Sequence, residues 1–277
     1  MQMYDRIPFT EYMYLPIERN FDSKNTVEFV QNHMSLPVIL VGLYLVSCYV
    51  GTKYMNRPGV ERFDLRYQLA CWNAGLSLFS FAGALRTIPE LVYRISISTE
   101  TTIVNTICTN PTTSWGTGAS GFWVMLFVFS KIPELLDTAF VIARKRPLIF
   151  LHWYHHVTVL LYCWHSYATL APQALYFVAM NYTVHAIMYG YYCLMALKMK
   201  PAWLSPAVIT VAQITQMLVG IVVQLASSYK YFKDENSCQM NGANIVWGGL
   251  MYASYFGLFV KFAVERYAVK LFKDKQV

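Results

Sequence analysis

Three histidines lie close together in residues 151–157, which read LHWYHHV. His152, His155 and His156 have the spacing i, i+3 and i+4, so on a helix their side chains project from one face. The neighbouring residues are apolar enough to lie in a membrane, where ionisable side chains are costly and face a bundle interior or a water-filled cavity. This cluster is therefore the first candidate for a functional site.

A neutral imidazole can bind a metal ion, act as an acid or a base, or attack a carbonyl carbon. The H-x-x-H-H spacing also occurs in membrane di-iron desaturases and hydroxylases, in which several such boxes surround two irons. This chain has 6 histidines in all, and His33 and His165 are poorly placed to complete a second box. Chemistry without a metal ion is therefore the preferred hypothesis, and no metal site is predicted.

Polar side chains repeat at helical spacing in three further apolar segments. If these segments and the histidine segment are helices, the simplest arrangement turns four polar stripes toward one shared chamber. Structural alternatives stay open: a hydrogen-bonded core histidine, glutamines that join helices, and acidic and basic groups that neutralise one another. The residues are Lys131, Glu134 and Asp137 in KIPELLDT, Asn181, His185 and Tyr189 in NYTVHAIMYGYY, and Gln213 and Gln216 in TVAQITQ.

The composition is that of a polytopic membrane protein. Of 277 residues, 56% are hydrophobic and 13% are charged, whereas a soluble domain has about 25% charged residues. Seven apolar segments approach the length of about 20 residues that a membrane helix needs. The predicted fold is all-α, with a 1–35 arm, a 36–268 seven-helix membrane domain and a 269–277 tail. The predicted spans are 36–54, 67–85, 122–141, 149–167, 174–197, 208–225 and 245–264.

The formal net charge of +7 comes from basic residues between the spans, as the positive-inside rule predicts. Nucleic-acid binding is therefore not expected. The basic side is predicted to be cytosolic and to hold the C-terminus, which places the N-terminus in the lumen. The final KDKQV, with Lys273 and Lys275, resembles a dilysine retrieval signal. The basic connections hold Lys53, Arg57, Arg62, Arg66, Arg144, Lys145, Arg146, Lys198 and Lys200.

Two cysteines fall in loops on the predicted non-cytosolic side. Cys108 precedes the third span and Cys238 precedes the seventh. That side is oxidising if the membrane is that of the endoplasmic reticulum. A disulfide between Cys108 and Cys238 is therefore predicted.

KIPELLDT, LHWYHH, NYTVHAIMYGYY and TVAQITQ, in this order, resemble the signature boxes of the ELO family of very-long-chain fatty acid elongases. The resemblance covers the membrane portion but not the arm before Leu36. It implies that spans two to seven form a helical barrel around an acyl tunnel in the endoplasmic reticulum membrane. It also implies a 3-oxoacyl-CoA synthase, which condenses an acyl-CoA with malonyl-CoA, releases carbon dioxide and CoA, and needs no cofactor.

The resemblance also assigns roles to residues. His155 is the expected nucleophile, and it would hold the acyl chain as an acyl-imidazole. His185 is its expected acid–base partner, while His152 and His156 set the tautomer and the geometry, with Asn181, Glu134 or Asp137 as hydrogen-bond partners. The remaining stripe residues, Lys131, Tyr189, Gln213 and Gln216, are expected around the substrate, and the basic residues Arg144 and Arg146 near the phosphates of CoA.

The implied partners are acyl-CoA, malonyl-CoA, membrane lipid and the other elongation-cycle enzymes: a 3-oxoacyl-CoA reductase, a 3-hydroxyacyl-CoA dehydratase and an enoyl-CoA reductase. The His-Trp-Tyr-His-His box looks most like the branch that acts on saturated and monounsaturated chains of the C16 type. A homodimer stays open. Two other functions also stay open: a di-iron desaturase or hydroxylase, and a seven-helix transporter or receptor without enzymatic activity.

Overall fold

The computed structural model describes residues 2–5, 7, 10–97, 103–199, 204–233 and 238–268, and over these residues it is helical, with no β-strand. The tail lysines Lys273 and Lys275, and Lys200, lie outside this part of the chain. The α-helices are α1 (Pro16–Arg19), α2 (Lys24–Asn32), α3 (Ser35–Met55), α4 (Arg66–Ser96), α5 (Ile103–Ile107), α6 (Gly118–Ser130), α7 (Leu136–Ala143), α8 (Phe150–Ala168), α9 (Ala174–Ala196), α10 (Pro206–Lys233) and α11 (Gly242–Ala263).

The helices support the prediction of a multi-pass membrane protein. Within the described residues, three helical segments are long and apolar enough to cross a membrane: Ser35–Met55, Pro206–Lys233 and Gly242–Tyr267. The other predicted spans fall on α4, on α6 with α7, on α8 and on α9. The all-α class is therefore confirmed, while the count of seven spans and the barrel stay predictions.

Three of the predicted spans differ from the helices in the structure. Helix α10 continues past the predicted end at residue 225 to Lys233. Helix α4 continues past the predicted end at residue 85 to Ser96, with Pro89 inside it. The predicted span 122–141 is two helices, because α6 ends at Ser130 and a 3₁₀ turn at Pro133–Leu135 precedes α7. A proline has no N–H to donate and its ring clashes with the carbonyl four residues earlier, so Pro133 interrupts the α-helix.

A buried ion pair occupies this interruption. The Lys131 ammonium donates to both carboxylate oxygens of Glu134, at 2.7 and 2.9 Å. Ser130 Oγ donates to the same carboxylate at 2.9 Å, and the ammonium lies 4.1 Å from the centre of the Phe127 ring. The two charges therefore compensate each other where neither side chain reaches bulk water.

Helices α4 and α9 pack closely along their lengths, with α6 and α8 beside them and α10 paired with α11. At Gly83 a Cβ atom would lie 2.5 Å from the Tyr182 ring, so only glycine admits this approach of α4 to α9. Tyr182 is fixed in turn by a hydrogen bond from its hydroxyl to the Trp123 carbonyl, at 2.9 Å. Helix α3 packs outside α4 and α9 and contacts α7 and α8.

The N-terminal arm is tied to one end of the bundle through the buried carboxylate of Glu18. That carboxylate pairs with Arg86 of α4 at 3.1 Å and accepts a hydrogen bond from Trp123 Nε1 of α6 at 2.6 Å. Gln2 Nε2 donates to the carbonyls of Ser114 and Thr117. The arm is therefore part of the packed structure.

A disulfide joins Cys108 and Cys238, the pairing that the sequence predicts. It links the segment after α5 to the segment before α11, and both half-cystines are buried beside Met240. The link closes a long loop, since the two cysteines are 130 residues apart in sequence.

Replacing Cys108 with Ser is expected to lower the free energy of unfolding by about 4–5 kcal/mol, because the disulfide restricts a long loop in the unfolded chain. Cys238→Ser should cost the same, and the double variant no more than either single one. Thermal midpoints of the detergent-solubilised protein measure the loss. The control is Cys71→Ser, which changes an exposed free cysteine. Equal thermal midpoints for Cys108→Ser and Cys71→Ser would contradict the expectation.

Glu134→Gln should destabilise the protein by about 3–5 kcal/mol, because it leaves the Lys131 ammonium buried without a counter-charge. The double variant Lys131→Met with Glu134→Gln should lose less than Glu134→Gln alone. The comparison is made by thermal unfolding in one detergent. If the single and double variants unfold at the same temperature, the two side chains are not coupled.

Candidate active site

Four histidines from two helices line one cavity of about 510 Å³. His152, His155 and His156 come from α8 and His185 comes from α9. The other two histidines do not line it: His33 lies in the segment between α2 and α3, and His165 lies near the end of α8. Further polar residues in the lining are Asn73, Glu134, Asp137, Arg144, Arg146, Asn181, Tyr189, Tyr192, Gln213 and Gln216.

The spacing on α8 brings its three imidazoles into ring contact. Ile149 has an extended backbone, the helix begins at Phe150, and His152 and His156 follow one turn apart. Their ring centres are 4.7 Å apart, and the rings of His155 and His156 are 5.7 Å apart. The orientation of one ring therefore restricts the orientation of the next.

Tyr255 of α11 contacts His155 through both its ring and its hydroxyl. Its ring centre lies 5.0 Å from the His155 ring, and its hydroxyl donates to the His155 carbonyl at 3.1 Å. The same hydroxyl is 2.5 Å from Thr158 Oγ1. Tyr255 was not predicted from the sequence, because a tyrosine in an apolar span of a tyrosine-rich chain looks like any other core residue.

Asp137 contacts Tyr189 and Trp72 rather than a histidine. It accepts hydrogen bonds from Trp72 Nε1 at 2.5 Å and from the Tyr189 hydroxyl at 2.7 Å. The Tyr189 ring stands edge-on to the His185 ring, with centres 5.3 Å apart, one helical turn along α9. Asp137 is therefore linked to His185 only through the Tyr189 side chain.

The ion pair of Lys131 with Glu134 corresponds to one of the structural alternatives. Glu134 lines the cavity, whereas Lys131 is not among the lining residues and its ammonium is held by Glu134. Asp137 makes its hydrogen bonds elsewhere. The role of Lys131 at the substrate stays a prediction, while Glu134 and Asp137 both line the cavity.

The amide side chains line the cavity from two helices. Asn181 of α9 has a buried side-chain oxygen without a hydrogen-bond partner among the described residues. Gln213 and Gln216 of α10 line the same space, and the Gln213 amide lies 3.3 Å from the sulfur of Met188. Asn181 therefore places one unpaired acceptor in the wall of the cavity.

The hydrogen-bond partner of His152 is Thr138, not Asn181, Glu134 or Asp137. Thr138 Oγ1 lies 2.9 Å from His152 Nε2 and 2.8 Å from the hydroxyl of Tyr44 on α3. Thr138 is the last residue of the KIPELLDT segment. Its position near the histidine cluster could therefore have been predicted from the sequence. Tyr44 carried no such signal, because it lies on a uniformly apolar span.

Arg144 and Arg146 connect the histidine cavity to a second, basic pocket. That pocket has a volume of about 460 Å³ and is lined by Val60, Glu61, Arg62, Arg144, Lys145 and Arg146. Lys145 has a positive φ of 51° and its ammonium donates to the Val60 carbonyl. The two cavities therefore share two guanidinium groups, which are suited to bidentate binding of phosphate.

Among the described residues, no three His, Cys, Asp or Glu side chains are arranged to hold a metal ion. Whether the protein works without a cofactor stays a prediction. The imidazoles in this cavity can act as nucleophiles, acids or bases. Carboxylate and guanidinium side chains line the same cavity.

Comparison with known proteins gives a consistent result. A family model described as "ELO: GNS1/SUR4 family" matches residues 29–275. The chain is 39% identical over 263 residues to "Very long chain fatty acid elongase 6" of Gallus gallus, covering 94% of this chain and 95% of that one. It is also 39% identical to the Homo sapiens protein of the same name, over 92% of this chain and 93% of that one.

A more distant relative is "Very long chain fatty acid elongase 4" of Trypanosoma cruzi, 36% identical over 94% of this chain and 88% of the relative. These relatives support an enzymatic role in fatty acid elongation. The resemblance that the four sequence boxes carry is confirmed, although the branch of the family is not settled by it. This chain belongs to the ELO (GNS1/SUR4) family.

Proposed function

We propose that this protein is the condensing enzyme of fatty acid elongation, a 3-oxoacyl-CoA synthase that joins a long-chain acyl-CoA to malonyl-CoA. The observation that carries the proposal is the single cavity into which His152, His155, His156 and His185 converge. The names of its relatives favour the same process. The finer chemistry below is part of the proposal.

In the first half-reaction, His155 attacks the carbonyl carbon of the acyl thioester. A carbon–nitrogen bond forms, the carbon–sulfur bond breaks, and CoA leaves. The proton of the attacking imidazole passes to His185 and from there to the departing thiolate. Imidazole suits this step because it is nucleophilic when neutral and forms a reactive acyl derivative.

In the second half-reaction, malonyl-CoA occupies the site that CoA has left and loses carbon dioxide. The electron pair of the broken carbon–carbon bond becomes an enolate, which attacks the acyl-imidazole carbonyl. A new carbon–carbon bond forms, the carbon–nitrogen bond breaks, and the released imidazole takes a proton from solvent through His185. The product is a 3-oxoacyl-CoA two carbons longer, and neither half-reaction requires a metal ion or an organic cofactor.

The lining of the cavity suits a substrate with an apolar chain and a polyanionic head. Met217, Phe259 and Phe262 provide apolar surface on one part of the wall. Arg144 and Arg146 lie where the cavity meets the basic pocket, and phosphate groups of CoA are expected there. We place the enzyme in the endoplasmic reticulum membrane with its basic pocket in the cytosol, working with the reductases and dehydratase of the cycle.

His155→Ala is expected to abolish malonyl-CoA-dependent chain extension, by at least about 1,000-fold in kcat, because removal of a nucleophile removes both half-reactions. His165→Ala, which changes a histidine outside the cavity lining, is the matched control and should keep its activity. Extension of labelled acyl-CoA is measured with the purified proteins.

Incubation with acyl-CoA alone tests the intermediate directly. Mass spectrometry of the wild-type protein should find the acyl group on His155, and the His155→Ala protein should carry none. An enzyme that extends chains without any acyl adduct on His155 or His185 would contradict the two-step scheme. Two bound iron atoms per chain would instead favour the di-iron function.

The double variant Arg144→Ala with Arg146→Ala is expected to raise KM for both CoA substrates by at least about 100-fold, with kcat reduced less. The reason is the loss of charge-assisted hydrogen bonds to phosphate, each worth about 1.5–3 kcal/mol. Lys53→Ala, which removes an exposed basic residue of α3, is the control. Loss of kcat at unchanged KM would assign these arginines to another role.

A further inference from the structure

A chain of hydrogen bonds runs from the outlying helix α3 to the histidine cluster. Most side chains of α3 are exposed, among them Val46 at 61% and Tyr49 at 68%, but Tyr44 is 7% exposed. Its hydroxyl meets Thr138 Oγ1 at 2.8 Å, and Thr138 Oγ1 meets His152 Nε2 at 2.9 Å. The mechanism above assigns no step to Tyr44 or Thr138.

Thr138 is free to make these bonds because of the helix interruption at Pro133. Buried threonines elsewhere in the chain donate to the carbonyl four residues earlier, as Thr87 does to Gly83 and Thr210 to Pro206. Helix α7 begins at Leu136, so Thr138 lies in its first turn, and the residue four positions earlier belongs to the 3₁₀ turn. The hydroxyl of Thr138 is directed instead to Tyr44 and His152.

The chemistry of the three groups gives the chain a direction. A phenol is a stronger acid than an aliphatic alcohol and therefore the better donor, and a neutral imidazole nitrogen is the strongest acceptor of the three. The favourable arrangement is donation from the Tyr44 hydroxyl to Thr138 and from the Thr138 hydroxyl to His152 Nε2. His152 then carries its own hydrogen on Nδ1, since the partner of one ring nitrogen fixes the protonation of the other.

We propose that Tyr44 and Thr138 are positioning residues for the condensation, and that they hold His152 as the Nδ1–H tautomer with its ring against His156. This inference rests on the proposed function. The His152 and His156 rings are 4.7 Å apart and those of His156 and His155 are 5.7 Å apart. Fixing the His152 ring therefore restricts the orientation of the His156 ring and, through it, that of His155, the proposed nucleophile.

The decisive comparison is between two substitutions of Thr138. Thr138→Val keeps the shape of the side chain and removes the hydroxyl, and it should lower kcat by about 10–100-fold, as losses of positioning groups do. KM for both CoA substrates should stay within about twofold, because neither substrate is expected to touch Thr138. Thr138→Ser keeps the hydroxyl and should recover most of the activity. Thr183→Val is the control, since Thr183 donates to the carbonyl of Ala179 and lies outside the cavity lining.

Tyr44→Phe tests the outer part of the chain. It should lower kcat by less than Thr138→Val does, because Thr138 can still donate to His152. The double variant of Tyr44→Phe with Thr138→Val should be no slower than Thr138→Val alone, as expected when two residues act through one path. If Thr138→Val fails to fold, Tyr44→Phe and Thr138→Ser still test the proposal, since one breaks the chain and the other preserves it.

A second measurement does not depend on activity. Nitrogen-15 NMR of protein labelled at histidine, with the His152 signal assigned by difference from His152→Gln, should show Nδ1 protonated and Nε2 unprotonated. The opposite tautomer, or equal kcat losses for Thr138→Val and Thr138→Ser, would overturn the proposal. The proposed function would fail separately, by wild-type protein that extends no acyl-CoA or by full activity of His155→Ala.

Discussion

The cost of an ionisable side chain inside an apolar helix bundle governs the layout of this protein. Such groups persist only where a partner or a polar cavity compensates the loss of water. Lys131 and Glu134 compensate each other. Asp137 takes two hydrogen bonds, from Trp72 and Tyr189. The four clustered histidines line one cavity, whose polar lining compensates all of them for the loss of water.

Pro133 links this constraint to the geometry of the site. By ending the α-helical pattern after α6, it divides the predicted third span into two short helices. Lys131 and Glu134 form their ion pair at this break, and Thr138 lies in the first turn of α7, which begins after it. One local backbone feature therefore arranges both a charge pair and the group that contacts His152.

The sequence predicted what depends on spacing within one helix. The i, i+3, i+4 pattern of His152, His155 and His156 and the polar stripe of α9 correspond to residues that line one cavity. It did not predict contacts between helices far apart in sequence, such as those of Tyr44 with Thr138 and of Tyr255 with His155. Such contacts depend on how the helices rotate and pack against one another. A tyrosine in an apolar span does not indicate which residue of another helix it will contact.

The same distinction applies to the hydrogen-bond partner of His152, which is Thr138. Glu134 and Asp137 are the more polar candidates, but a buried carboxylate needs strong donors, and Lys131, Trp72 and Tyr189 supply them. A neutral hydroxyl suits an imidazole that stays neutral, because a nearby carboxylate would favour the imidazolium. Thr138 is the polar residue of its segment that carries no charge, and its hydroxyl therefore suits the role at His152 that the proposed reaction requires.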